Sequence, residues 1–169
     1  MNIVILGMMG SSKDLVAKAL AKKFEMDFAD TDQMIEKDHG RITDIYKKYG
    51  EEHFRKLETE KIEKLAGVDN HVINTGAGVI INKKNIILLR KNSKVIYLNA
   101  SVDYLFKNIS VFDKWLLKKN DKEVLRLILK DRTARYLNSC DVVINMDGKK
   151  VDDVVKEICG LINISKENE

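Results

Sequence analysis

The stretch GMMGSSKD, residues 7–14, sets two glycines and a lysine between an apolar run and an amphipathic one. In such a loop, backbone N–H groups and the N-terminus of the following helix can cradle phosphate oxygens. The lysine can neutralise a phosphoryl group in transfer. The spacing G-x-x-x-x-G-K-[ST] is met at Gly7 and Lys13, with Gly10 inside the loop. Ser12 stands where the second glycine belongs, and Asp14 stands where a hydroxyl would hold magnesium. Ser12 must then adopt backbone angles that suit glycine. Asp14 is either a metal ligand or a charge that repels phosphate, and an ordinary tight turn carrying a surface lysine is the alternative to both.

Other residues of chemical use follow along the chain. In ADTDQMIE, Asp30 could hold magnesium through water. Asp32 could accept a proton or hydrogen bonds from a hydroxylated substrate, or simply cap a helix. EEHFRKLE carries Arg55, and KDRTARY carries Arg132 near the end of a later helix. The chain holds 24 lysines and only 6 arginines, so its arginines mark places where a planar two-pronged donor is needed. Two of them aimed at one rim would clamp a carboxylate; two solvated surface charges are the alternative. NTGAGVI ends an apolar run with Gly76 and Gly78, where bare backbone lets a substrate approach closely. His39, His53 and His71 show no metal-ligand spacing, and Cys140 and Cys159 are too few for a disulfide framework or a zinc site.

The elements that must position these residues alternate. Strands are expected at 2–6, 26–30, 71–76, 94–100 and 141–147. Helices are expected at about 13–24, through 31–66 with breaks near Gly40 and Gly50, at 83–91, from a Ser101 cap, at 121–136 and at 151–162. Residues 110–120 show no clean period, and the tail ISKENE reads as frayed. Five short apolar strands alternating with helices imply an α/β fold whose five-stranded parallel sheet is covered on both faces. Ligands of such sheets sit beyond the carboxyl ends of the strands. That puts residues 7–13, 30–32, 75–78 and 99–101 along one rim.

Composition bounds the rest. A chain of 169 residues, 44% apolar and 33% charged, builds one domain with a core of its own. No run approaches a membrane span, and the N-terminus lacks the basic start of a signal peptide. The net charge of +4 is spread along the chain, which argues against a nucleic-acid partner. A reducing cytoplasm is the expected location. There is no proline, so no loop is stiffened by one.

Taken together, GMMGSSKD, DTD at 30–32, FR at 54–55, TGAGV at 75–79 and DRTARY at 131–136 resemble the shikimate kinase family over about residues 2–160. The resemblance implies a P-loop fold like that of nucleoside-monophosphate kinases. It comprises one domain with a substrate-binding helical region at 31–60 and a mobile lid at 108–120. The implied reaction is ATP-dependent phosphorylation of shikimate to shikimate 3-phosphate, in chorismate and aromatic amino-acid biosynthesis, with Mg2+ as cofactor and a monomer as the form.

It further implies Lys13, Asp32 and Lys114 as catalytic, and Asp32, Arg55, Gly76, Ala77, Gly78 and Arg132 as shikimate-binding. Gly7, Gly10, Ser11, Ser12, Lys13, Asp14, Leu15, Lys114 and Lys149 would bind the nucleotide, and Asp14 and Asp30 would serve the metal. Ala77 replaces the family's middle glycine. Lys114-Trp115-Leu116-Leu117 replaces its lid sequence Arg-Pro-Leu-Leu, and Trp115 could cover the site. The departures cluster on the nucleotide side. An altered member that binds shikimate without productive use of ATP is therefore the alternative to an active kinase.

Overall fold

The run Asn2–Gly7 is apolar on both faces and forms the central strand β1, every residue of which is buried. Around it lie β2 (Asp27–Asp30), β3 (His71–Asn74), β4 (Ser93–Asn99) and β5 (Val142–Asn145). All are parallel, in the order β2-β3-β1-β4-β5. The computed structural model describes residues 1–117 and 121–162. The helices are α1 (Lys13–Phe24), α2 (Thr31–His39), α3 (Ile42–Leu65), α4 (Lys83–Arg90), α5 (Val102–Asn108), α6 (Val111–Leu116), α7 (Lys122–Ser139) and α8 (Val151–Leu161). The architecture is the five-stranded parallel α/β sheet expected from the alternation. The connection from β1 runs toward β2 and that from its neighbour β4 runs toward β5, on opposite sides, so the crevice that receives ligands opens beyond the carboxyl ends of these two strands.

Local chemistry sets several boundaries differently from the sequence pattern. The third strand stops at Asn74 rather than at Gly76, because Thr75 turns its hydroxyl onto the Ile5 carbonyl at 2.9 Å and Gly76 N–H donates to Thr31 Oγ1 at 3.2 Å. The aperiodic stretch at 110–120 contains α6, nucleated by a capping box. Ser110 Oγ accepts from Asp113 N–H, and the Asp113 carboxylate accepts from Ser110 N–H. α7 runs on to Ser139, which places Arg132 in mid-helix rather than near its end. The breaks at Gly40 and Gly50 fall where expected, with φ of 84° and 81°. Residues 118–120 of the expected lid and the tail at 164–169 lie outside the described residues.

α2 and α3 carry a small apolar cluster of their own, Ile35, Ile42, Ile45, Phe54 and Leu57, separate from the main core under the sheet. This cluster holds the middle of α2 against the start and middle of α3, and both helices carry residues that face the rim.

Candidate active site

The loop after β1 has its expected turn and one costly residue. Ser11 N–H bonds to the Met8 carbonyl at 3.1 Å, and Gly10 has φ of +81°. A Cβ on Gly10 would stand 2.2 Å from the Leu105 carbonyl oxygen, so α5 lies directly against the loop. Ser12 is left-handed, with φ 62° and ψ 27°, at a cost of ~1–2 kcal/mol for a residue with a side chain. Its Oγ shares a 3.3 Å hydrogen bond with Tyr104 Oη on α5. Lys13 Nζ reaches back to the Met8 carbonyl at 3.3 Å. Burial pulls its amine below the ordinary lysine range, while Asp113, Asp32, Asp30 and Asp14 oppose that shift in decreasing order. Asp14 and Leu15 are exposed on the first turn of α1, and Ser11 is buried with its hydroxyl unpartnered among the described residues.

The DTD stretch divides its two aspartates. Asp30, not Asp32, caps α2: it accepts from Gln33 N–H at 3.0 Å and from Nδ2 of Asn74, its register partner on β3, at 2.7 Å. Asp32 is released from capping. Its Oδ1 is buried and without a hydrogen-bond partner among the described residues. Burial, with Asp30 and Glu58 adding repulsion, pushes its pKa up to about 7, only partly offset by Lys13 and Arg55.

Arg55 is held by its own helix. Nη1 bonds both oxygens of Glu58, at 3.1 and 3.0 Å, while Nη2 and Nε face Glu51 at 3.2 and 3.4 Å. Glu58 is fully buried, and burial raises its pKa against the pull of Arg55 and Arg132. Arg132 Nη1 reaches the Ala77 carbonyl at 3.4 Å, and Tyr136 Oη donates to the same oxygen at 2.5 Å. Gly76 and Gly78 carry no side chain because there is no room. A Cβ on Gly76 would stand 2.9 Å from both Asp32 Oδ1 and Glu58 Oε1, and one on Gly78 would stand 2.2 Å from Arg55 Nη2. Gly78→Ala is expected to displace the Arg55 guanidinium and so to cost both binding and folding, because Glu58 stays buried without its partner. Affinity for a carboxylate ligand should fall about tenfold or more, and Tm should fall by about 5 °C or more; calorimetric titration and thermal melts check the two halves.

These side chains line one cavity of about 1140 Å³, where Asp32, Arg55, residues 76–78 and Arg132 face Asp113, Lys114 and Trp115 of α6. Trp115 stands edge-on to Tyr46 at 6.3 Å, and Lys47 Nζ lies 5.8 Å from its ring, so α6 rests against α3. Lys149 is not among the lining residues; it pairs with Glu157 at 2.5 Å. Asp30 and Asp32 border a smaller hollow of about 480 Å³ with Arg41. Glu51 and Glu58 escaped the reading of EEHFRKLE although both lie within it. Their i−4 and i+3 spacing from Arg55 was the available signal. Tyr104 and Tyr136 carry no such local signal, since their partners lie 92 and 59 residues away.

Chemically, the rim joins a glycine-containing loop and its lysine to a pocket lined by two guanidinium groups and a carboxylate, one oxygen of which is buried without a partner among the described residues. A family model for shikimate kinase matches residues 9–163. A shikimate kinase of Caldanaerobacter subterraneus subsp. tengcongensis is 39% identical over 160 residues, 93% of either chain. One of Persephonella marina is 38% identical over 163 residues, 95% of this chain and 98% of that one. Among solved structures, the shikimate kinase of Acinetobacter baumannii in complex with shikimate matches with a TM-score of 0.91 at 29% identity. That match covers 99% of this chain and 95% of the other.

Proposed function

The chain belongs to the shikimate kinase family, and from that premise we propose how its residues divide the transfer of the γ-phosphoryl group of ATP to a hydroxyl of shikimate. Arg55 and Arg132 grip the substrate carboxylate, and Glu58 holds Arg55 in orientation. The backbone of Gly76, Ala77 and Gly78 forms the wall on which the ring rests. Asp32 binds the ring hydroxyls and receives the proton of the one that attacks. The hydroxyl oxygen forms a bond to the γ-phosphorus as the bond to the β–γ bridging oxygen breaks, and ADP leaves. Lys13 and the N–H groups of residues 7–15 hold the phosphates, and Lys114 meets them from the lid. Lys149 belongs to the side on which the base rests. The observation that carries this reading is the unpartnered, buried Asp32 oxygen set beside Arg55 in a cavity that Arg132 and Lys114 also line. The relatives named above support the active kinase over a member that has lost ATP use.

Magnesium fits this donor set as a companion of ATP rather than as a resident ion. Among the described residues no three His, Cys, Asp or Glu side chains gather to hold a metal. Mg2+ is ordinarily bound by one or two carboxylates plus substrate phosphates. Asp14 would supply a direct oxygen. Asp30, whose oxygens already accept from Gln33 and Asn74, would act through water. Bound there, the metal neutralises charge on the β- and γ-phosphates.

The proposal extends to a monomeric, cytoplasmic enzyme of one domain, with residues 31–60 as the acceptor region and 108–120 as the lid. One continuous sheet supports the single domain, and the separate small core of α2 and α3 supports the acceptor region. Both cysteines are free, and among the described residues no helix is long and apolar enough to cross a membrane. The test is ADP release from purified protein given Mg2+, ATP and shikimate. Release is expected to require shikimate and to stop on chelation with EDTA. Release indifferent to shikimate, or none at all, would count against the reading.

A further inference from the structure

A serine that precedes a helix ordinarily takes an extended backbone and turns its hydroxyl onto the N–H of the second or third helical residue. In α1 that would fill the donors a phosphate needs. Ser12 does neither: its backbone is left-handed, and no side-chain cap is made. Its hydroxyl is engaged 92 residues away, by Tyr104 Oη at 3.3 Å. Tyr104 is itself fixed. Its N–H donates to the Ser101 hydroxyl at 3.2 Å, its carbonyl accepts from Asn108 at 2.8 Å, and its ring packs on the main core. One residue further on, the Leu105 carbonyl abuts Gly10, so α5 meets the loop at two adjacent points.

We propose that Tyr104 is a positioning residue of the phosphate loop, whose phenol holds the Ser12 hydroxyl away from the N-terminus of α1 and so keeps that terminus open for the phosphates of a nucleoside triphosphate. A glycine at residue 12 would need no such restraint, having no hydroxyl to cap with and no Cβ to resist a left-handed backbone. Tyr104 is thus the second-site counterpart of the serine that replaces glycine in this loop. Its role is separate from the acceptor side, because neither Ser12 nor Tyr104 lines the cavity that holds Arg55 and Arg132.

The inference rests on the kinase reading above, and a double-mutant cycle tests it. Tyr104→Phe, Ser12→Gly and the double variant are compared for KM of ATP, kcat, KM of shikimate and MgADP affinity by calorimetry. In the Ser12 background, Tyr104→Phe should raise KM of ATP and the MgADP dissociation constant about 3- to 10-fold. Shikimate KM should stay within about twofold. In the Ser12→Gly background the same change should shift nucleotide affinity by less than about twofold. Equal shifts in both backgrounds, or none in the first, would overturn the inference, as would a parent protein that binds no MgADP. Coupled MgADP binding without shikimate-dependent ADP release would instead overturn the kinase reading and leave the role of Tyr104 standing.

Discussion

Lys13→Ala should lower kcat about a thousandfold while leaving the fold intact. A full positive charge about 4 Å from a phosphate charge is worth on the order of 4 kcal/mol at an effective dielectric of 20, which is that factor in rate. The lysine lies at the start of α1 with its amine turned to the Met8 carbonyl, so its removal empties no apolar core. The pH dependence follows from its surroundings. Burial lowers the Lys13 pKa, so the protonated amine is lost at a lower pH than for a free lysine, and the rate should fall on the alkaline side. Steady-state ADP release from pH 5 to 10, for parent and variant, checks both parts. Survival of the parent rate in Lys13→Ala would remove the lysine from the phosphate site.

Asp32→Asn is the second large change. An asparagine fits the same space but cannot receive a proton, and loss of a positioned general base costs about 10²–10⁴ in rate. Only the carboxylate form of Asp32 is competent. With its pKa pushed up to about 7, the parent rate should climb with pH through that value, and the variant should lose the inflection. Stability should move the other way. A carboxyl that titrates at about 7 in the folded protein and near 3.8 when unfolded binds more protons in the folded state between those limits. The parent therefore loses stability as pH rises across that window. The uncharged asparagine escapes this loss, so Asp32→Asn should raise Tm at pH 8 by about 3 °C or more and leave it little changed below pH 4. A variant that is inactive yet no more stable at pH 8 would show that Asp32 is not strained by its burial.

How much of this was legible in the chain differs from residue to residue. β1 could be read because a central parallel strand is buried on both faces, which leaves an unbroken apolar run. Gly40 and Gly50 could be read because each sits at a positive φ that breaks a helix. The left-handed backbone of Ser12 was legible because the residue stands where the loop spacing places a glycine. α6 was hidden because its start depends on the reciprocal Ser110 and Asp113 bonds rather than on apolar periodicity. Glu58 was hidden because a glutamate on a helix face is ordinarily solvated. Only its placement against Gly76, beyond the end of β3, leaves it at 0% exposure beside Arg55.

The sequence by itself determined the fold class, the order of elements and which residue types stand at the rim. Those follow from periodicity, turn chemistry and loop spacing, all of which act over a few neighbouring residues. The tertiary structure decided which charges share a cavity and which group each one faces. It gave the cap of α2 to Asp30 and left Asp32 unpartnered. It set the Arg55 guanidinium against a glycine that can carry no side chain. It placed Trp115 edge-on to Tyr46 and joined Ser12 to Tyr104. Burial and electrostatic coupling depend on groups that approach only when the whole sheet is assembled, so no local stretch of the chain contains them.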